Sequence, residues 1–230
     1  MATTLILIPG RTLMAIAWSA ERSSGAAMIA GILAGTAALA HHPVLDHARA
    51  GSAAAALRAV DGVNAWVHGA AIAATLLLAA CLATYTNLRG WQRALPRSAA
   101  IAFLVGTVLM VQAGLIDGFI APRLIRNGAI AAGADPIARM LWASNQALTV
   151  LASTCIAAAM ALWSLDLLRN PPVRRVLGLI GLVLAAATAV VLVRANGLIG
   201  VAQMQLLWAL IGGWCLLPAL VLVGSAQRDG

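Results

Sequence analysis

The chain has 230 residues, 62% of them hydrophobic and 10% charged, with 15 basic and 7 acidic side chains and a formal net charge of +8. A soluble domain carries about a quarter of its residues as charges, so this composition excludes a soluble globular domain, a disordered chain and a nucleic-acid binder built on a basic surface. The remaining class is an all-α, polytopic integral membrane protein: a bundle of transmembrane helices with short loops.

Residues 1–22 read as an N-terminal interfacial segment. Thr3 to Ile8 is apolar, but Pro9-Gly10-Arg11 interrupts it. Ala15-Ile16-Ala17 has the form of a signal-peptidase site, yet the apolar core before it is short and broken, so no cleavable signal is expected. A helix needs about 20 mostly apolar residues to cross the hydrocarbon. The gaps between charges supply six such stretches within a transmembrane domain spanning 23–223. They are Ser23 to Ala40, Gly62 to Leu88, Ser98 to Pro122, Met140 to Leu165, Val176 to Val193, and Gln205 to about Val223. Residues 224–230 form a tail. Trp18, Trp66, Trp91, Trp142, Trp163 and Trp208 fall near span ends, where aromatic belts sit, and only Trp214 is interior.

Every basic residue is Arg, and Ala is abundant. Both features fit a GC-rich coding bias and are not functional signals in themselves. With the N-terminus inside, the larger share of the arginines lies on the inner side, mostly in the short loops Arg89–Arg97 and Arg169–Arg175. The expected location is the cytoplasmic (inner) membrane of a bacterium, with both termini inside. The expected partners are the lipid bilayer, a metal ion or small polar ligand, and a membrane-protein partner or second copy of the chain; nucleic acid is not among them. Leu88-Arg89 and Leu168-Arg169 each precede a proline and further arginines, a faint repeat that convergence on a cytoplasmic turn explains. Gly31-x-x-x-Gly35 and Gly114-x-x-x-Gly118 let helix backbones approach closely. Cys81, Cys155 and Cys215 sit in apolar stretches without a C-x-x-C pair, and read as packing residues.

The polar residues at membrane depth gather at one end of the spans. Asp61, Asn64 and His68 follow helical spacing at the start of the second span. Asp117 lies near the end of the third, Asn145 and Gln146 one turn into the fourth, and Arg194 at the end of the fifth. The first outer loop reads His41-His42-Pro43-Val44-Leu45-Asp46-His47. Charged groups at this depth face a bundle interior or a wet cavity, so the pattern predicts a polar pocket opening outward. His68 and Asp117 are its expected core and its candidate proton-handling pair. His41, His42, His47 and His68 are the candidate metal ligands, and Asn64, Asn145, Gln146 and Arg194 the candidate lining. Imidazole suits a divalent transition metal such as zinc, copper or iron. Asp61 and His68 are separated by about 10.5 Å of helical rise, too far to share one ion easily. Asp117 has a structural alternative, pairing with Arg194 or Arg123.

No H-E-x-x-H, H-x-x-H or G-x-S-x-G motif occurs. Three functional readings stay open: a pocket for a metal ion or small polar ligand, including a membrane-embedded metal-dependent enzyme; a proton-coupled or small-solute transporter; and a non-catalytic subunit or assembly factor of a larger complex. The near absence of polar groups in the inner halves of the spans favours a pocket over a pore.

Overall fold

The computed structural model describes the backbone of residues 11–43, 53–129 and 136–224, and the side chains of 20–43, 60–129 and 136–224. The described residues are helical, without strands: α1 (Arg11–Ala40), α2 (Ala53–Arg89), α3 (Ala94–Leu115), a π-helical turn (Ile116–Ile120) running into the short α4 (Ala121–Arg126), α5 (Pro136–Leu168), α6 (Pro172–Ala195) and α7 (Val201–Gly224). Six of the helical stretches are long and apolar enough to cross a membrane, with α3, the π turn and α4 forming one of them. The protein is a six-span all-α bundle.

The helices extend beyond the stretches expected from charge gaps. Helix α2 begins at Ala53 rather than Gly62, because Asp61 is neutralised by Arg126 of α4 and need not mark a helix end. Helix α1 runs unbroken from Arg11, so no change of backbone falls at residue 22. Residues 1–10 and the tail from 225 lie outside the described residues.

Spatial neighbours follow chain order around a closed ring. Helix α1 packs on α2, α2 on α3, α3 on α5, α5 on α6, α6 on α7, and α7 back on α1. Without a hydrophobic driving force in lipid, such contacts depend on close packing, and glycine provides it. A Cβ on Gly106 of α3 would stand 2.9 Å from the Ala152 carbonyl oxygen of α5, and one on Gly25 of α1 would stand 3.0 Å from that of Ala219 in α7. Gly35 lies against the Trp208 ring, whose Nε1 donates to Thr36 Oγ1 at 3.2 Å. The outer surface carries an apolar belt that includes Leu33, Ile101, Val108, Leu151, Val183 and Val193.

An aromatic stack fills the half of the bundle away from the histidines. Trp163 lies 5.3 Å from Trp214, 5.8 Å from Phe103 and 6.5 Å from Tyr85, centroid to centroid. All four rings are buried. Trp163 is therefore a core residue and not part of an interfacial belt: its position near the end of the apolar stretch is deceptive, because α5 continues to Leu168. Trp214 Nε1 donates to Ser164 Oγ at 3.0 Å, and Gly181 of α6 leaves room for that contact.

The same end holds a charge cluster that the span boundaries hid. Asp166 is buried within α5 and pairs with Arg89 at 2.7 Å and Arg93 at 2.6 Å. Gly90, at φ +95°, makes the turn that brings Arg93 back to it, a conformation open to glycine at little steric cost. Asp166 thus ties the α2–α3 turn to the end of α5.

Two substitutions test this packing. Asp166→Ala strands the nearly buried Arg89 guanidinium and is expected to cost about 3–5 kcal/mol. Gly106→Leu overpacks the α3–α5 contact and is expected to cost about 1–3 kcal/mol. Reversible unfolding in detergent measures both; a stability equal to wild type in either variant contradicts the contact it probes.

Candidate metal centre

Three side chains from three elements meet at one end of the ring: His42 just after α1, His68 of α2 and Asp117 of the π turn. One ligand atom from each lies within 4.8 Å of the others. His68 Nε2 is 3.2 Å from Asp117 Oδ2. The His42 and His68 rings meet edge to face at 5.1 Å. His68 is largely shielded, with 12% of its side chain exposed, whereas Asp117 is 51% exposed.

Local structure explains the meeting. Gly118 packs directly on His68, so closely that a Cβ there would overlap the histidine's own Cβ. Gly114, one turn earlier, lies against Ile72 of α2. The Gly114-x-x-x-Gly118 pattern is therefore the seam between α2 and the third span. The π turn sits just before Pro122, which has no N–H and crowds the preceding turn of an α-helix. The Ala121 N–H reaches back five residues to the Ile116 carbonyl, the wider spacing that defines a π turn. The extra residue changes the helical phase at Asp117. Asn64, buried at 7% exposure, fixes the turn by donating from Nδ2 to the Asp117 main-chain oxygen at 3.0 Å.

His42 is held from the other side. Gln205 of α7 donates to the Leu39 carbonyl at 3.0 Å, anchoring the end of α1. Burial, and then the neighbouring His68, hold the His42 imidazole below its ordinary pKa. That environment favours the neutral ring, the form that binds metals.

The hydrogen bonds assign the ring protons. A carbonyl oxygen only accepts, so the 2.9 Å contact from His68 Nδ1 to the Asn64 carbonyl requires a proton on Nδ1. The 3.1 Å contact from His42 Nδ1 to the Pro43 carbonyl does the same for His42. Both neutral rings then present a bare Nε2. For His68 that lone pair faces a carboxylate oxygen at 3.2 Å. Two acceptors at this distance need a cation between them, either a proton or a metal ion.

Below the triad lies a cavity of about 150 Å3 enclosed by α2, α3, α5 and α7, with Leu39 of α1 on its rim. Asn145, Gln146, Thr75, Thr149 and Ser153 contribute polar atoms, but the walls are chiefly apolar, among them Ile72, Leu78, Phe103, Met110, Ile156 and Leu207. The expected polar pocket is therefore polar at its mouth and apolar in its depth. Gln146 is engaged with the backbone of Ile199: its Oε1 accepts from the Ile199 N–H at 2.7 Å and its Nε2 donates to the carbonyl at 3.3 Å.

Several expected site residues lie elsewhere. His41 is exposed and its Nδ1 bonds the Ala37 carbonyl of its own helix at 2.8 Å. One residue of helical phase separates it from His42 and turns it away from the cluster. Arg194 is exposed at the end of α6 and does not line the cavity; α6 packs on α5 and α7 at the back of the ring. Asn64 supports Asp117 from behind instead of lining the cavity. Asp117 pairs with neither Arg194 nor Arg123, and Asp61 is taken by Arg126. His47 lies outside the described residues. Sequence reasoning passed over Ser153 as a pocket group, although its spacing of eight from Asn145, through Thr149, marks one helical face.

Comparison with known protein families, with curated proteins and with solved structures gives no match.

The geometry predicts coupling. His68→Phe and Asp117→Asn are expected to be non-additive in unfolding free energy by about 0.5–3 kcal/mol, as for residues in direct contact. Asp61→Asn, paired with a different partner, is expected to add to either within about 0.5 kcal/mol. A double-mutant cycle measures this, and additivity of the first pair excludes the contact.

Proposed function

We propose that this membrane protein holds a divalent transition metal at His42, His68 and Asp117, and that the centre acts on or binds a ligand entering from the cavity. The observation that carries the reading is the convergence of three ligand atoms from three separate elements, with both histidine Nδ1 atoms bound to backbone carbonyls. Carbonyl contacts of this kind orient imidazole ligands and fix their tautomer in metal sites. A nitrogen-rich set with one carboxylate suits zinc, copper or iron. Three protein ligands leave a fourth position for water or substrate, as in catalytic zinc sites. A metal there would supply Lewis acidity and an acidified water. His68 and His42 would hold it through Nε2, and Asp117 would balance its charge.

The arginine-rich turn containing Arg89 and Arg93 supports a cytoplasmic position for the opposite end. The metal end then faces outward, in a bacterial inner membrane.

A second reading has its own observation. The cation between His68 and Asp117 could be a proton, making an imidazolium–carboxylate pair of the kind found on proton paths. Against a through-path, the cavity ends at Leu78, Phe103, Ile156 and Ile211, next to the aromatic core.

Elemental analysis of the purified full-length protein decides between them. The metal reading expects about one transition-metal ion per chain, lost in His68→Ala and His42→Ala and retained in His41→Ala and Arg194→Ala. Asn64→Ala, which releases Asp117 from behind, is expected to weaken metal affinity about 10- to 100-fold, as for other residues that support a ligand. A metal-free wild type that takes up no zinc, copper or iron in titration overturns the reading. Proton flux into proteoliposomes that collapses in Asp117→Asn would establish the alternative.

A further inference from the structure

The polar groups inside the cavity form a line. Asn145, Thr149 and Ser153 are spaced four residues apart on α5 and all reach the cavity wall, so they descend one face of the helix from the triad toward mid-span. Thr149 is 4% exposed and Ser153 is wholly buried. Ser153 Oγ has no hydrogen-bond partner, and the Thr149 hydroxyl makes no bond to any described residue. Thr107 Oγ1 of α3 is also buried without a partner, but it does not line the cavity. Thr36, Thr75, Thr86, Thr154, Ser164 and Thr188 each donate to the carbonyl four residues earlier, the usual way a helix satisfies a hydroxyl in lipid. Two buried hydroxyls on one face have donors to spare, and unsatisfied donors in an apolar medium are costly.

The cavity shape restricts what satisfies them. Its wall runs from His68 to Leu78 on α2 and from Asn145 to Ile156 on α5, about 15 Å on each helix at 1.5 Å per residue. A volume of about 150 Å3 spread over that length is narrow, the width of one chain. A column of water does not fit the chiefly apolar walls and closed apolar end. A plain hydrocarbon leaves both hydroxyls unsatisfied, and a simple alcohol carries its one oxygen at the head. The fitting occupant has a polar head, an acceptor oxygen a few atoms below it, and a single aliphatic tail.

We infer that the cavity binds a single-chain acyl ester or amide, with its head at His42, His68 and Asp117, its carbonyl accepting from the Thr149 and Ser153 hydroxyls, and its tail among Leu78, Phe103 and Ile156. The placement of the head rests on the proposed metal centre; the carbonyl and tail contacts do not.

Photo-crosslinking tests this on the full chain in nanodiscs. Two probes are used, decanoyl ethanolamide and decyl alcohol, each with a diazirine near the tail end, and labelled residues are mapped by mass spectrometry. Labelling is expected inside the bundle, around the tail end at Leu78, Phe103 and Ile156 of the cavity wall. Thr149→Val and Ser153→Ala remove one hydroxyl each with little change of shape. Each is expected to raise the half-saturating amide concentration about five-fold, the value of one net hydrogen bond, and to leave the alcohol unchanged. Ala71→Leu, which fills the cavity, is expected to abolish labelling by both. Labelling confined to the outer belt at Val183 and Val193 overturns the inference, as does amide binding indifferent to Thr149→Val and Ser153→Ala together. If the wild type proves metal-free while amide labelling keeps its dependence on the hydroxyls, the metal centre falls and the acyl-chain site stands.

Discussion

Hydrocarbon gives a charge nothing to bond with, and this constraint orders the whole molecule. Each aspartate in the described spans has a cationic or histidine partner on another element: Asp61 with Arg126, Asp117 with His68, Asp166 with Arg89 and Arg93. These contacts also tie together neighbours in the ring. Asp166 ties α5 to the α2–α3 turn, and Asp61 ties α2 to α4. The pairs differ in completeness. Asp166 is met by two guanidinium groups, so its charge is matched by permanent cations. Asp117 is met by a histidine whose other nitrogen is already committed to a carbonyl. Asp166, at the opposite end, is a finished structural lock, whereas Asp117 at the histidine end faces an imidazole lone pair.

The site depends on a backbone irregularity as much as on its side chains. A regular helix through residues 116–120 would rotate Asp117 away from its present phase. The π turn ahead of Pro122 supplies the rotation, and Gly118 lets His68 come close enough to use it. Asn64 contributes twice over, through its side chain to the Asp117 backbone and through its own carbonyl to His68. Asn64, Gly118 and Pro122, from α2, the π turn and α4, therefore set one short contact. Such a concentration of conformational and hydrogen-bonding constraint on one carboxylate–imidazole pair is what preorganised sites require.

The relation between the triad and the cavity gives the functional reading its content. A polar cluster at the rim with apolar walls beneath suits an amphiphile better than a hydrophilic solute. The unused hydroxyls of Thr149 and Ser153 narrow the choice further, because they face the cavity, whereas Thr36, Thr75, Thr86, Thr154, Ser164 and Thr188 are satisfied by their own helices. The aromatic stack of Trp163, Trp214, Phe103 and Tyr85 then closes the bundle below the cavity.

The sequence by itself determined the class, the number of spans and the end at which the histidines lie. Those follow from one-dimensional quantities: apolar run length against bilayer thickness, and the position of ionisable residues along each run. It also marked His68 and Asp117, because each interrupts an apolar stretch deeply enough to demand an explanation. Only the tertiary structure decided which polar residues meet. His41 and His42 are adjacent in the chain, yet one residue of phase sends the first outward and the second to His68. Arg194 lies at the right depth but on α6, on the side of the ring away from the cavity. Asp166 lies one residue beyond the expected fourth span, yet pairing with Arg89 and Arg93 keeps its charge inside α5. Depth can be counted along a sequence; azimuth and inter-helix contact cannot, since they depend on packing between residues far apart in the chain, such as Gly118 against His68.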